Sequence, residues 1–139
     1  VDRNNIRDRK EGSVTEQKNS LAVCLYNILR QSGITRNTEY DLAQGKTATT
    51  ILSENMTGVQ VLDLSGCTLD AVLYYVNQDI PVLAILEDGE AVLVTGFTEF
   101  NVVIMEPATG KLNKKGVNDA TAWFAENGNH FITYMRTEN

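Results

Sequence analysis

Few side chains in this 139-residue sequence could carry out nucleophilic chemistry: the two thiols of Cys24 and Cys67, and the one histidine, His130. A cysteine nucleophile needs a helix N-terminus or a neighbouring base to keep it ionised. Cys24 instead lies among Leu21, Leu25 and other apolar residues at helical spacing. This pattern predicts a buried structural thiol that does not pair with Cys67. His130 opens a predicted strand, and no cysteine or serine motif accompanies it.

No metal or cofactor site is expected from the sequence. The cysteines form neither a C-x-x-C motif nor a Cys/His cluster, as a zinc site would require. The Q-G-K-T sequence at residues 44–47 lacks the upstream glycine and the preceding strand of a phosphate-binding loop.

Composition predicts one soluble-type globular domain with few candidate partner classes. The net charge of −6 and the pI near 4.7 argue against nucleic acid and anionic membranes as partners. No apolar run approaches the length of roughly 20 residues that spans a bilayer, so we expect no direct membrane insertion of this segment. Residues 1–14 are polar and aperiodic and predict a flexible arm, followed by a single domain at 15–139. Because the sequence starts at Val1, we expect it to be a piece of a longer protein.

Periodicity predicts helices first and a meandering antiparallel sheet later, which is an α+β order. The expected helices are Thr15–Ser32, Asn37–Ala43, Thr47–Met56 and Thr68–Val76, with Thr47 and Thr68 as the N-caps of the last two. A fifth helix is expected to be capped by Asn118 or Asp119 and to run to Glu126. The expected strands are Val59–Leu64, Pro81–Leu86, Ala91–Phe97, Val102–Met105 and Phe131–Met135.

The segment Gly89–Phe97, G-E-A-V-L-V-T-G-F, resembles the Gly-His-x-V-x-V-x-G-Tyr/Phe pattern of papain-like cysteine peptidases that process bacteriocin leaders. This resemblance implies a papain-like fold, with the N-terminal helix packed on the sheet. It places Glu90 at the position of the family's histidine base and Glu106, before Pro107, at that of its orienting aspartate. The nucleophile position falls on Ser20, with Asn19 as the alternative.

The resemblance therefore implies a peptidase scaffold whose catalytic positions hold other residues. A carboxylate repels a thiolate, and its ordinary pKa near about 4.3 does not suit protonation of a leaving amine at neutral pH. We expect an inactive peptidase-like domain that binds a peptide or protein as part of a larger bacterial cell-surface or secreted protein. The alternatives are an active hydrolase using Cys24 or Ser20 with His130, a carboxylate pair formed by Glu90 and Glu106, and a structural spacer. The sequence leaves the oligomeric state open.

Overall fold

A computed structural model describes residues 19–137, which form five helices and six strands. The predicted arm at residues 1–14 and the predicted helical residues 15–18 lie outside the described residues. The helices are α1 Ser20–Gln31, α2 Thr38–Ala43, α3 Ala48–Asn55, α4 Leu69–Val76 and α5 Val117–Glu126. The strands are β1 Val59–Asp63, β2 Val82–Ile85, β3 Ala91–Phe97, β4 Asn101–Met105, β5 Leu112–Gly116 and β6 His130–Arg136.

The strands form one antiparallel sheet in the order β1-β6-β2-β3-β4-β5. The predicted antiparallel sheet is confirmed, and tight turns connect β2, β3 and β4 as consecutive neighbours. Strand β5 was not predicted, because Leu112–Asn113–Lys114 are exposed and the segment has no apolar alternation. Its place at the edge of the sheet explains that composition, since an edge strand needs little burial.

Helices cover both faces of the sheet. Along β3, Ala91 and Leu93 join the core beneath α1 and α3, whereas Val92 and Val94 join the core beneath α4 and α5. Alternate residues of a strand point to opposite faces, so a continuous apolar run is what a sheet buried on both faces requires. None of the helices within residues 19–137 is long and apolar enough to cross a membrane.

Helix capping explains most helix starts. Asn19 caps α1, with its side-chain oxygen accepting a hydrogen bond from Ala22 N at 3.2 Å. The predicted caps Thr47 and Thr68 are confirmed at α3 and α4. The predicted cap of α5 at Asn118 or Asp119 was wrong.

Helix α5 begins directly at the end of a strand. Its cap position is Gly116, the last residue of β5, and this residue makes no side-chain capping bond. Asn118 and Asp119 therefore lie inside the first turn of α5, whose Val117 N–H donates to Phe100 O at 2.9 Å. No intervening loop separates the strand from the helix, and the cap position holds a glycine, which has no side chain to accept a capping hydrogen bond.

Candidate functional site

Ser20 is the first residue of α1 and connects that helix to the middle of the sheet. Its Oγ accepts a hydrogen bond from Ala91 N, the first residue of β3, at 2.8 Å. Ser20 is half-buried, and Ala91 is buried. The alternative nucleophile position, Asn19, has its side chain at the N-cap of α1.

The two glutamates lie at the end of the central strands where α1 also begins. Glu90 is exposed and directly precedes Ala91, so it is adjacent in sequence to the residue that Ser20 contacts. Glu106 directly follows β4, whose Met105 pairs with Leu93 of β3. The antiparallel neighbours β3 and β4 thus bring Glu90 and Glu106 to the same end of the strands.

The side of the sheet distinguishes Glu106 from Ser20. Glu106 lines a cavity of about 240 Å³ together with Val92, Ile104 and Trp123, on the face covered by α5. Ser20 approaches β3 from the face covered by α1. The structure therefore places Ser20 and Glu106 at the same end of the strands but on opposite faces of the sheet.

His130 lies two strands away from Ala91. Ile85 of β2 pairs with Ala91 on one side and with His130 on the other. Two strand spacings amount to about 10 Å, well beyond the hydrogen-bond distance that a general base needs. Within residues 19–137, no hydrogen bond joins the exposed imidazole to Ser20.

The surroundings of His130 are a polar cavity rather than the start of α1. It shares a cavity of about 440 Å³ with Ser65, Glu87 and Asn127. The pKa of nearby Asp63 is lowered, first by hydrogen bonds from the Ser65 hydroxyl and backbone N–H and to a smaller extent by the charge of His130.

Cys24 lies one turn into α1 and has no access to solvent. Burial raises the pKa of its thiol to about 12, which disfavours the reactive thiolate. The predicted burial of Cys24 is confirmed. Cys67 is half-buried, and both thiols are free, as the sequence predicted. The core position of Cys24 separates it from the end of the strands where Ser20 and Glu90 lie.

A buried polar framework that sequence reasoning missed supports the start of α1. Thr38 Oγ1 donates to Ala22 O at 2.6 Å, and both residues are buried. In the same short helix, buried Asp41 accepts two hydrogen bonds from Arg36, at 2.8 and 2.7 Å, and these bonds lower the pKa of Asp41. The Thr38 contact depends on the packing of α2 against α1, so no local pattern indicated it. Arg36 and Asp41 are only five residues apart, and their opposite charges were the signal that could have indicated the pair.

The described residues contain no group of three or more His, Cys, Asp or Glu side chains placed to hold a metal ion.

Comparisons with known proteins identify the fold. No protein-family model matches the chain, and no curated protein is significantly similar to it in sequence. A crystal structure of a protein from Bacillus anthracis, described as a C39-like peptidase, superimposes with a TM-score of 0.70 at 13% identity. The match covers 86% of this chain and 90% of the other. The chain therefore has the papain-like α+β fold that the sequence predicted.

Proposed function

We propose that this domain is an inactive relative of papain-like peptidases that binds an extended peptide or a protein segment instead of cleaving it. The observation that carries the proposal is the hydrogen bond from Ala91 N to Ser20 Oγ. At the position that the family resemblance assigns to the nucleophile, the hydroxyl oxygen serves as an acceptor that joins α1 to β3. Among the described residues, no hydrogen bond joins it to a basic side chain.

The chemistry of the neighbouring carboxylates supports the loss of activity. Proton transfer by a positioned base contributes about 10²- to 10⁴-fold to a hydrolytic rate. Glu90 stands where the resemblance expects the imidazole, and it is exposed to solvent. A carboxylate at this position repels a developing oxyanion or thiolate, whereas an imidazolium stabilises it. The complete burial of Cys24 and the raised pKa of its thiol argue against this residue as a substitute nucleophile.

Peptide binding is the activity that this scaffold retains without a nucleophile. An extended peptide needs main-chain partners and pockets for alternate side chains, and neither depends on a catalytic triad. At the same end of the strands, the cavity lined by Glu106, Val92 and Trp123 lies on the face of the sheet opposite Ser20. The family resemblance further supports placing the domain in a larger bacterial cell-surface or secreted protein.

The test of inactivity uses the unmodified protein and a broad peptide-substrate library, with product detected by mass spectrometry. We expect no turnover above the rate without protein. Turnover that disappears in Cys24→Ala, Ser20→Ala or His130→Ala would contradict the proposal and establish the hydrolase alternative.

The test of binding uses the same peptide library in immobilised form. It identifies the peptides that retain the domain, rather than those that are cleaved. Peptides enriched by the wild-type domain should bind at least about tenfold more weakly to Glu90→Lys, since a reversed charge at the site changes partner choice. Glu99→Lys is the matched control. Glu99 is an exposed glutamate in the turn between β3 and β4, at the opposite end of these strands from Glu90. Enrichment of no peptide would leave the domain as a spacer, whereas equal binding by Glu90→Lys would contradict a binding surface at Glu90.

A further inference from the structure

Strand β5 is an outer strand of the sheet in the part of the chain that the structure describes. It pairs only with β4. Hydrogen bonds from Glu106 N to Lys111 O and from Val117 N to Phe100 O, both 2.9 Å, bracket the β4–β5 ladder. Hydrogen-bonded and non-bonded pairs alternate in an antiparallel ladder. Asn113 therefore directs its backbone groups toward β4.

The same alternation identifies the backbone groups that face outward. The N–H and C=O groups of Leu112 and Lys114, and the N–H of Gly116, point away from β4 toward the open edge of the sheet. The C=O of Gly116 belongs to the N-cap of α5 and is directed into that helix. These five outward groups are enough to align one further short strand. The edge thus has the main-chain geometry that strand addition uses.

The charge of this edge is opposite to that of the whole chain. Lys111, Lys114 and Lys115 fall within five consecutive residues of a chain with net charge −6. Neither of the two ion pairs found within residues 19–137 involves these lysines, since both pairs lie near α2 and α3. Lys115 Nζ lies 5.1 Å from the ring centre of Trp123. The three lysines are therefore available to pair with acidic groups of a partner.

The side chains of β5 alternate between the two faces of the sheet. Leu112 pairs with Met105 and Lys114 with Val103, on the face of α1, whereas Lys115 pairs with Val102 on the face of α5. The side chain of Leu112 is 63% exposed, which leaves an apolar contact between two basic positions. A complementary strand would carry acidic residues on both faces and one apolar residue opposite Leu112.

From this edge geometry and its charge we propose that β5 is a docking strand for an extended, acidic peptide segment of a partner, which adds antiparallel to β5. Read opposite Lys115 down to Lys111, the complementary sequence is Glu-Glu-Thr-Val-Glu. A second copy of this chain does not fit, because antiparallel pairing of two β5 strands would place lysines opposite lysines. The proposal goes beyond the function proposed above, and it does not depend on the site at Ser20 and Glu90.

Edge lysines also occur where a protein avoids strand pairing, and the experiment distinguishes that role from docking. The probe is acetyl-Thr-Glu-Glu-Thr-Val-Glu-Thr-amide, titrated into the wild-type domain. The fluorescence of Trp123, the only tryptophan of the chain, reports binding beside Lys115. We expect saturable binding that weakens as salt rises, and no binding of the analogue with lysine in place of each glutamate.

Two N-methylated probes test whether the main chain is used. Methylating the glutamate opposite Lys114 removes an N–H that would donate to β5, and should weaken binding by at least about fivefold. Methylating the threonine opposite Asn113 changes an N–H that points away from β5, so this probe should bind like the parent peptide.

A pair of protein variants makes the same comparison from the other side. Lys114→Pro removes the outward N–H and is compatible with an edge strand, whereas Lys114→Ala keeps it. Lys114→Pro should bind more weakly than Lys114→Ala by about fivefold or more. Absence of saturable binding to the parent probe, equal binding of the two methylated probes, or equal binding of the lysine analogue would each overturn the proposal. The methylated probes need no protein variant and decide the matter if Lys114→Pro fails to fold.

Discussion

The hydrogen bond between Ser20 and β3 predicts that Ser20→Ala destabilises the fold. The substitution removes the oxygen that accepts from Ala91 N at 2.8 Å. Ala91 is only 1% exposed, so water has poor access to replace the lost acceptor. The backbone N–H is then left without a partner at the point where the first helix meets the central strands.

The expected size follows from two opposing effects. A buried donor left unsatisfied costs about 1–3 kcal/mol. Alanine is a better helix former than serine by up to about 0.5 kcal/mol, which offsets part of that cost. We therefore expect Ser20→Ala to lower the free energy of unfolding by about 1–2 kcal/mol.

Urea unfolding, followed by circular dichroism and by the fluorescence of Trp123, measures this change. Ser53→Ala is the matched control, because Ser53 is an exposed serine in α3, and it should leave the stability unchanged or slightly higher. Ser20→Thr retains a hydroxyl acceptor and should fall between wild type and Ser20→Ala.

The result that refutes the reasoning is a Ser20→Ala protein within about 0.5 kcal/mol of wild type. A serine kept for chemistry costs little stability when removed, and replacement of active-site residues commonly stabilises an enzyme. A neutral or stabilising effect would therefore indicate that the hydroxyl is retained for reactivity, and would reopen the hydrolase alternative.

Two further predictions concern titrating groups. Because burial raises the pKa of Cys24 to about 12, a chromogenic disulfide reagent at neutral pH should label Cys67 in the native protein and Cys24 only after unfolding. Equal native labelling rates would contradict this. Hydrogen bonds from Arg36 lower the pKa of Asp41, so their stabilisation is complete above about pH 4 and is lost as the pH falls through the lowered value. Asp41→Asn should flatten this acid dependence of the urea midpoint, and an unchanged profile would assign it to other groups.

Much of the architecture was predictable because it depends on local patterns. The β-branched runs at Ala91–Phe97 and Val102–Met105, joined by a short turn, determine an antiparallel pair whichever residues surround them. The caps Thr47 and Thr68 act on backbone groups within their own first turn, so sequence alone located them. Strand β5 was not predicted because an edge strand needs no apolar alternation. It is recognised as a strand by its pairing with β4.

The sequence by itself determined the order of an apolar helix and a meandering sheet, and the positions of Ser20, Glu90 and Glu106 along them. Only the tertiary structure decided what those residues contact. Ser20 and Ala91 are 71 positions apart, and the hydrogen bond between them exists because α1 packs across β3. The separation of His130 from Ser20 and the opposite faces of Ser20 and Glu106 likewise follow from strand order and pairing register. Such long-range pairings depend on how every element packs, so no local pattern encodes them.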